Sequence, residues 1–118
     1  MRRRIRKMKL PMRLYGGVDI LVTHSPARGY GDMDDLPHIG FECFNDLLNE
    51  THPRYLLHGH VHKEYGDFVR QRTHESGTEL INCYGYYILD YPDELLTQRS
   101  QEQKRKIRIY DFFMGKRD

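Results

Sequence analysis

Tyr55-Leu56-Leu57-His58-Gly59-His60-Val61-His62 is the stretch on which the fold turns. A short apolar run, the length of a buried strand, stops at a glycine and passes straight into alternating histidines. A partner lies upstream. Val18-Asp19-Ile20-Leu21-Val22-Thr23 is β-branched and apolar, and it ends on His24-Ser25-Pro26. Its continuous hydrophobicity, rather than strict alternation, predicts a strand covered on both faces. Between the two runs, Phe41, Phe44, Leu47 and Leu48 recur at helical spacing, which predicts a helix over 40–50. A helix between two buried strands is a β-α-β unit. Loops at the carboxyl ends of such strands are where α/β sheets build their sites.

The flanks fill in the architecture. Ile5, Met8, Leu10 and Leu14 among basic residues predict a short amphipathic helix over 1–14, broken or kinked near Pro11 and ended by Gly16-Gly17. Ser25 to His38 reads as a long loop, with Pro26, Gly29, Gly31 and Pro37. Glu64–Arg72 and Glu79–Asn82 read as strands joined by a turn at Ser76-Gly77, and Tyr86–Asp90 as a further strand; these later strands are expected to form an antiparallel meander. Pro92–Lys106 is polar linker or helix, and Arg108–Phe113 reads as a final strand. The domain organisation expected is a basic helix (1–14), a core region (15–91) and a basic tail (92–118). The fold class expected is mixed α/β with a mixed sheet.

The chain has 118 residues, 38% hydrophobic and 31% charged, which suits one small globular domain. No apolar stretch approaches a membrane span, and no secretory signal is visible. Two distant cysteines, Cys43 and Cys83, suit reduced thiols in a cytoplasmic protein. Cys43 reads as packing, and Cys83 lacks a charged neighbour to activate it. The net charge of +2 conceals segregation. Residues 1–13 carry seven Arg or Lys and no acid, residues 14–97 five bases and fourteen acids, and residues 98–118 seven bases and three acids. All seven histidines fall in the acidic middle, which suits cation binding better than nucleic-acid binding. The basic ends read as solvated faces or contacts to an anionic surface, without interleaved aromatics for base stacking.

Imidazole suits Zn, Mn, Fe, Ni and Co. In extended backbone, residues i and i+2 point to one side, so His60 and His62 are expected to share a site with His24, while Gly59 admits close backbone approach. His58 has the same parity but lies within the strand. His52 and His74 read as surface residues, and Tyr84, Tyr86 and Tyr87 as core and strand-face residues.

Val22-Thr23-His24-Ser25-Pro26, then a helix, a strand and Gly59-His60-Val61-His62, resemble the calcineurin-like metallophosphoesterases. Asp35-Leu36-Pro37-His38 and Gly40-Phe41 add to the likeness, which covers roughly residues 15–91. The resemblance implies part of an α/β/β/α sandwich that cleaves phosphate mono- or diesters with two divalent ions. His24 and His60 would bind one ion and His62 the other; His38 and Arg28 would contact substrate phosphate. The family motifs D-x-H, G-D-x-x-[DG] and G-N-H-[DE] precede the first histidine motif, yet only 23 residues precede His24. Gly31-Asp32-Met33-Asp34-Asp35 fits the second motif, but in the wrong order, and reads as coincidence. This chain is therefore expected to be a truncated or split C-terminal portion with no catalytic acid of its own. It would hold at most one ion, weakly, and hydrolyse little unaided. A complementary N-terminal half is the expected partner, and a half-sandwich with an exposed apolar face or edge favours homo-association. The alternative is a non-catalytic interaction module that keeps the half-fold.

Overall fold

The computed structural model describes residues 1–14, 16–62, 68–98 and 101. They fall into two compact units, one of residues 1–2 and 19–87, the other of residues 3–18 and the chain from 88 onward.

In the first unit the expected β-α-β order is present. Strand β1 (Ile20–Val22) leads through a loop with a 3-10 turn at Leu36–His38 into helix α2 (Glu42–Thr51; α1 is the N-terminal helix of the other unit) and then strand β2 (Tyr55–His58). Strands β3 (Gln71–Thr73) and β4 (Glu79–Asn82) follow. The sheet order is β1-β2-β4-β3. β2 is parallel to both β1 and β4, while β3 and β4 are antiparallel, so the sheet is mixed, as expected. The meander holds only for β3 and β4, which join through a tight turn: His74 and Thr78 pair backbone to backbone at 2.8 Å, and Gly77 takes φ +91. β4 then returns beside β2 rather than extending the hairpin outward.

Register explains the core. Leu21, Leu56 and Leu80 stand side by side across three strands and are all buried, and one step on the same face carries buried His58 and Asn82. Helix α2 buries one side of its own. Its buried side is Cys43, Phe44, Asn45, Leu47 and Leu48, and Asn45 hydrogen-bonds His74 just beyond β3. Each fully buried leucine contributes about 1.5–3 kcal/mol. The helix ends at His52, which takes a left-handed φ of +47 and donates its N–H to the Leu48 carbonyl; Pro53 prevents continuation.

Several expectations change. β1 is shorter than Val18–Thr23 and is not covered on both faces, because Val22, on the face opposite Leu21, is 74% exposed. Tyr86–Asp90 is not a strand. Both neighbouring positions on β4 are taken, by β2 and β3, and Gly85 at φ +78 turns the chain away. Tyr86 is accordingly 82% exposed rather than core. The expected strand over Glu64–Arg72 survives only as β3, which starts at Gln71; residues 63–67 lie outside the described residues.

In the second unit, helix α1 (Arg2–Leu14) runs through Pro11 unbroken. Proline removes one hydrogen bond, to Lys7, close enough to the helix end for three more residues to follow. Gly16 and Gly17, at φ +84 and +96, stop it. Residues 93–98 are helical, and the expected strand Arg108–Phe113 lies outside the described residues. No helix among the described residues is long and apolar enough to cross a membrane.

Two positions give direct stability tests. Gly40 packs against backbone: a Cβ there would meet the Ala27 carbonyl and the Pro26 oxygen at 2.7 Å. Gly40→Ala is expected to cost about 1–3 kcal/mol, read as a lower urea midpoint. His74, expected at the surface, is buried. Its Nε2–H donates to Asn45 Oδ1 at 3.0 Å, its Nδ1 accepts the Ser76 N–H at 3.0 Å, and Tyr30 stacks at 4.6 Å. Burial pushes its pKa below the ordinary 6.5, against the opposing pull of Glu75. The folded state thus resists a proton that the unfolded state accepts. Stability is full above pH 6.5 and falls as the pH drops from 6.5 through the lowered folded value, by about 1.4 kcal/mol for each unit of depression. His58, also lowered by burial, adds in the same direction. Urea unfolding between pH 7.5 and about pH 5 checks this; His74→Gln should flatten the slope.

Candidate metal centre

The ends of β1 and β2 are tied together beyond the strands themselves. Thr23 donates its N–H to the Leu57 carbonyl at 2.9 Å, and Gly59 donates to the His24 carbonyl at 3.0 Å. These bonds set His24 and His60 side by side at one sheet edge, as the sequence predicts. His24 Nε2 lies 3.1 Å from His60 Nδ1, with ring centroids 4.8 Å apart. A third strand end supports them. Buried Asn82 on β4 donates to the Val61 carbonyl at 2.7 Å and accepts the Tyr84 N–H, while Cys83 donates to the His58 carbonyl.

The special backbone falls on His60 rather than on Gly59, where the sequence suggests a close approach. A Cβ on Gly59 would meet nothing nearer than the His24 oxygen at 4.0 Å, so glycine is not sterically required there. It is His60 that takes the left-handed conformation, φ +66. An L-residue held there carries a cost of about 1–2 kcal/mol. That conformation also breaks the two-residue alternation. His62 does not join His24 and His60; its ring stacks on Tyr84 at 4.9 Å.

The Ser25–His38 loop supplies the rest. His60 Nε2 donates to the Pro37 carbonyl. A carbonyl only accepts, so Nε2 carries the proton and Nδ1 presents a lone pair toward His24. His38 places its ring 5.1 Å from that of His60 and pairs through Nδ1 with Asp35 at 2.5 Å. Arg28, the other substrate candidate, is held by Asp32 and Asp34, each at 2.8 Å, and the pair raises its pKa above the ordinary value. Its two carboxylate partners are what sequence reading missed. Asp32, set aside as a coincidental motif match, is the organiser of the loop: its side chain is 5% exposed and accepts from Arg28, Gly29 and Gly40. Burial pushes Asp32 up, but the bonds from Arg28, Gly40 and Gly29 outweigh it and hold the carboxyl below its usual range. The available signal was Asp32 flanked by Gly31 and closely following Gly29, the pattern of a carboxylate receiving turn amides.

Metal–imidazole bonds of about 2.0–2.1 Å place two adjacent ligand nitrogens about 2.9–3.4 Å apart. The His24–His60 separation of 3.1 Å falls inside that interval. That spacing admits a shared ion in place of the ring-to-ring hydrogen bond that the metal-free pair makes. No group of three or more His, Cys, Asp or Glu among the described residues is arranged to hold a metal, so a second ion does not fit through His62 as placed. Both cysteines are free; Cys43 is buried, and burial raises the Cys83 pKa despite the opposing charge of Arg70, so neither is set up as a thiolate ligand.

No family model matches the chain, and no solved structure matches it significantly. A UPF0046 protein of Caenorhabditis elegans is 38% identical over 69 residues, 57% of this chain and 16% of that protein. A second UPF0046 protein of the same organism is 34% identical over 55 residues, 42% of this chain and 20% of that protein. Metallophosphoesterase domain-containing protein 1 of Homo sapiens is 38% identical over 53 residues, 42% of this chain and 16% of that protein. The chain is thus similar to one stretch of metallophosphoesterase-domain and UPF0046 proteins, and spans no more than 20% of the length of any of these three.

Proposed function

We propose that this chain is a portion of a metallophosphoesterase-like hydrolase, contributing His24 and His60 to one divalent ion of a phosphate-ester-cleaving site. The pairing of their nitrogens at 3.1 Å, on the ends of adjacent parallel strands, carries this reading. A bound ion would supply Lewis-acid charge and an activated water. The chain's own residues would do the positioning. His24 and His60 would hold the ion, the Pro37 carbonyl would anchor His60 by its Nε2, and His38, steadied by Asp35, faces the same edge as a phosphate contact. His62 belongs to the second ion in the complete enzyme and would have to turn away from Tyr84 to reach it. Arg28 would reach a substrate phosphate only by giving up a carboxylate, so loop support is the better reading of it. The missing carboxylate and amide ligands are assigned to a complementary N-terminal half, and a cytoplasmic setting suits two free thiols.

The test mixes the chain with a segment carrying D-x-H and G-N-H-[DE], adds Mn²⁺ and follows phosphodiester hydrolysis. Activity should require both pieces and vanish with His24→Ala or His62→Ala. Ordinary turnover by this chain alone contradicts the proposal.

Two observations favour a second reading, a non-catalytic interaction module. His62 stacks on Tyr84 instead of joining the other histidines, and Val22, 74% exposed, leaves the β1 end of the sheet face away from Leu21 open for a complementary half or a second copy. That reading expects stability independent of metal and no rescue of hydrolysis by any added segment.

A further inference from the structure

We infer that Asp32 is a positioning residue that sets the tautomer of His60 from the far side of the Ser25–His38 loop, an inference that rests on the proposed role of His60 as a ligand. A neutral imidazole offers a metal only the nitrogen without the proton. At His60 that choice is made by the Pro37 carbonyl, which takes the Nε2–H and leaves Nδ1 without a proton, as the acceptor of His24 Nε2 at 3.1 Å, a bond that a shared ion would replace. A carbonyl in a loop can do this only if the loop holds its position. Pro37 sits in the 3-10 turn Leu36–His38, which has no side-chain cap at its start. What fixes the segment on both sides is Asp32. Its Oδ1 accepts the Gly29 N–H at 2.9 Å; its Oδ2 accepts Arg28 Nη1 at 2.8 Å and the Gly40 N–H at 2.9 Å. The carboxylate therefore joins a point before the turn to the second residue after it. Gly40 is in turn locked against Pro26 and Ala27, beside His24. Met33 and His38 close the inner arc backbone to backbone at 3.1 Å. Groups that orient a metal-binding histidine through its second nitrogen typically govern affinity by about 10–100-fold. Here the orienting group is one peptide carbonyl, and Asp32 is the side chain that places it.

The test is ¹⁵N NMR of the histidine side chains in the metal-free chain, followed by Co²⁺ titration. Wild type should show His60 protonated at Nε2 alone. Asp32→Asn keeps the size but has one acceptor oxygen for three donors. It should convert His60 to a mixture of tautomers and weaken Co²⁺ about 10–100-fold, with the backbone amide signals of β2 and β4 unmoved. Asp34→Asn, which leaves all three Asp32 bonds in place, and Leu36→Ala, at an exposed site in the same loop, should change neither. If Asp32→Asn does not hold its fold, Asp32→Glu gives the milder version, a partial tautomer shift in the same direction. An Asp32 variant that stays folded and keeps the Nε2–H tautomer overturns the inference. Wild type with the expected tautomer but no Co²⁺ uptake overturns the proposed function instead, and leaves the positioning role standing on the NMR result.

Discussion

His60→Ala is expected to remove divalent-metal binding from this chain while leaving it folded, and His60→Gly to do the same with a gain in stability over the alanine variant. Loss of a direct ligand should exceed the about 10–100-fold that loss of a supporting group costs. The difference between the two variants comes from the backbone. At φ +66 an L-residue pays about 1–2 kcal/mol, whereas glycine populates this region freely. His60→Gly should therefore unfold at a higher urea concentration than His60→Ala by the equivalent of about 1 kcal/mol. Strain held at a position whose relief would remove binding is what the proposed role of His60 expects. Equal stability of the two variants would mean that the left-handed conformation is not being enforced. Co²⁺ absorption and urea denaturation of the pair read both effects.

The largest loss of stability is expected at the centre of the leucine row. Leu56 is fully buried on β2 between Leu21 and Leu80. Leu56→Ala removes buried methyl groups where neighbours on both flanking strands limit collapse, and such changes cost about 2–5 kcal/mol. Against a typical total of about 5–15 kcal/mol, this is a large share for a small domain. The urea midpoint followed by circular dichroism should fall steeply, and the His24–His60 pair should fail with it, because β2 carries one histidine and orders the other. A loss below about 1 kcal/mol would contradict the packing described here.

Much of this was legible in the sequence, and the reason is local. β1, α2 and β2 each declare themselves through apolar periodicity, and the parallel pairing follows from the helix between the two strands. That pairing is what brings His24 to His60. The illegible features depend on contacts distant in sequence or on a single dihedral angle. Tyr86–Asp90 has the composition of a strand, but β4 had no free neighbour to offer it. His74 looked like a surface residue because its partners, Asn45 and Tyr30, lie far upstream. The divergence of His60 and His62 hangs on one positive φ that no spacing rule anticipates. Asp32 was the costliest miss. It matched a family motif in the wrong order, and its dismissal as a ligand obscured its use as a clamp on Gly29 and Gly40.

The central claim is that His24 and His60 form a ligand pair at the joined ends of β1 and β2. Isothermal titration of the intact chain with Co²⁺, against His24→Ala and His60→Ala, tests it most directly. The account predicts a single weak site per chain that both substitutions remove, with circular dichroism unchanged. No saturable uptake by the wild-type chain, or uptake that survives both substitutions, would contradict it.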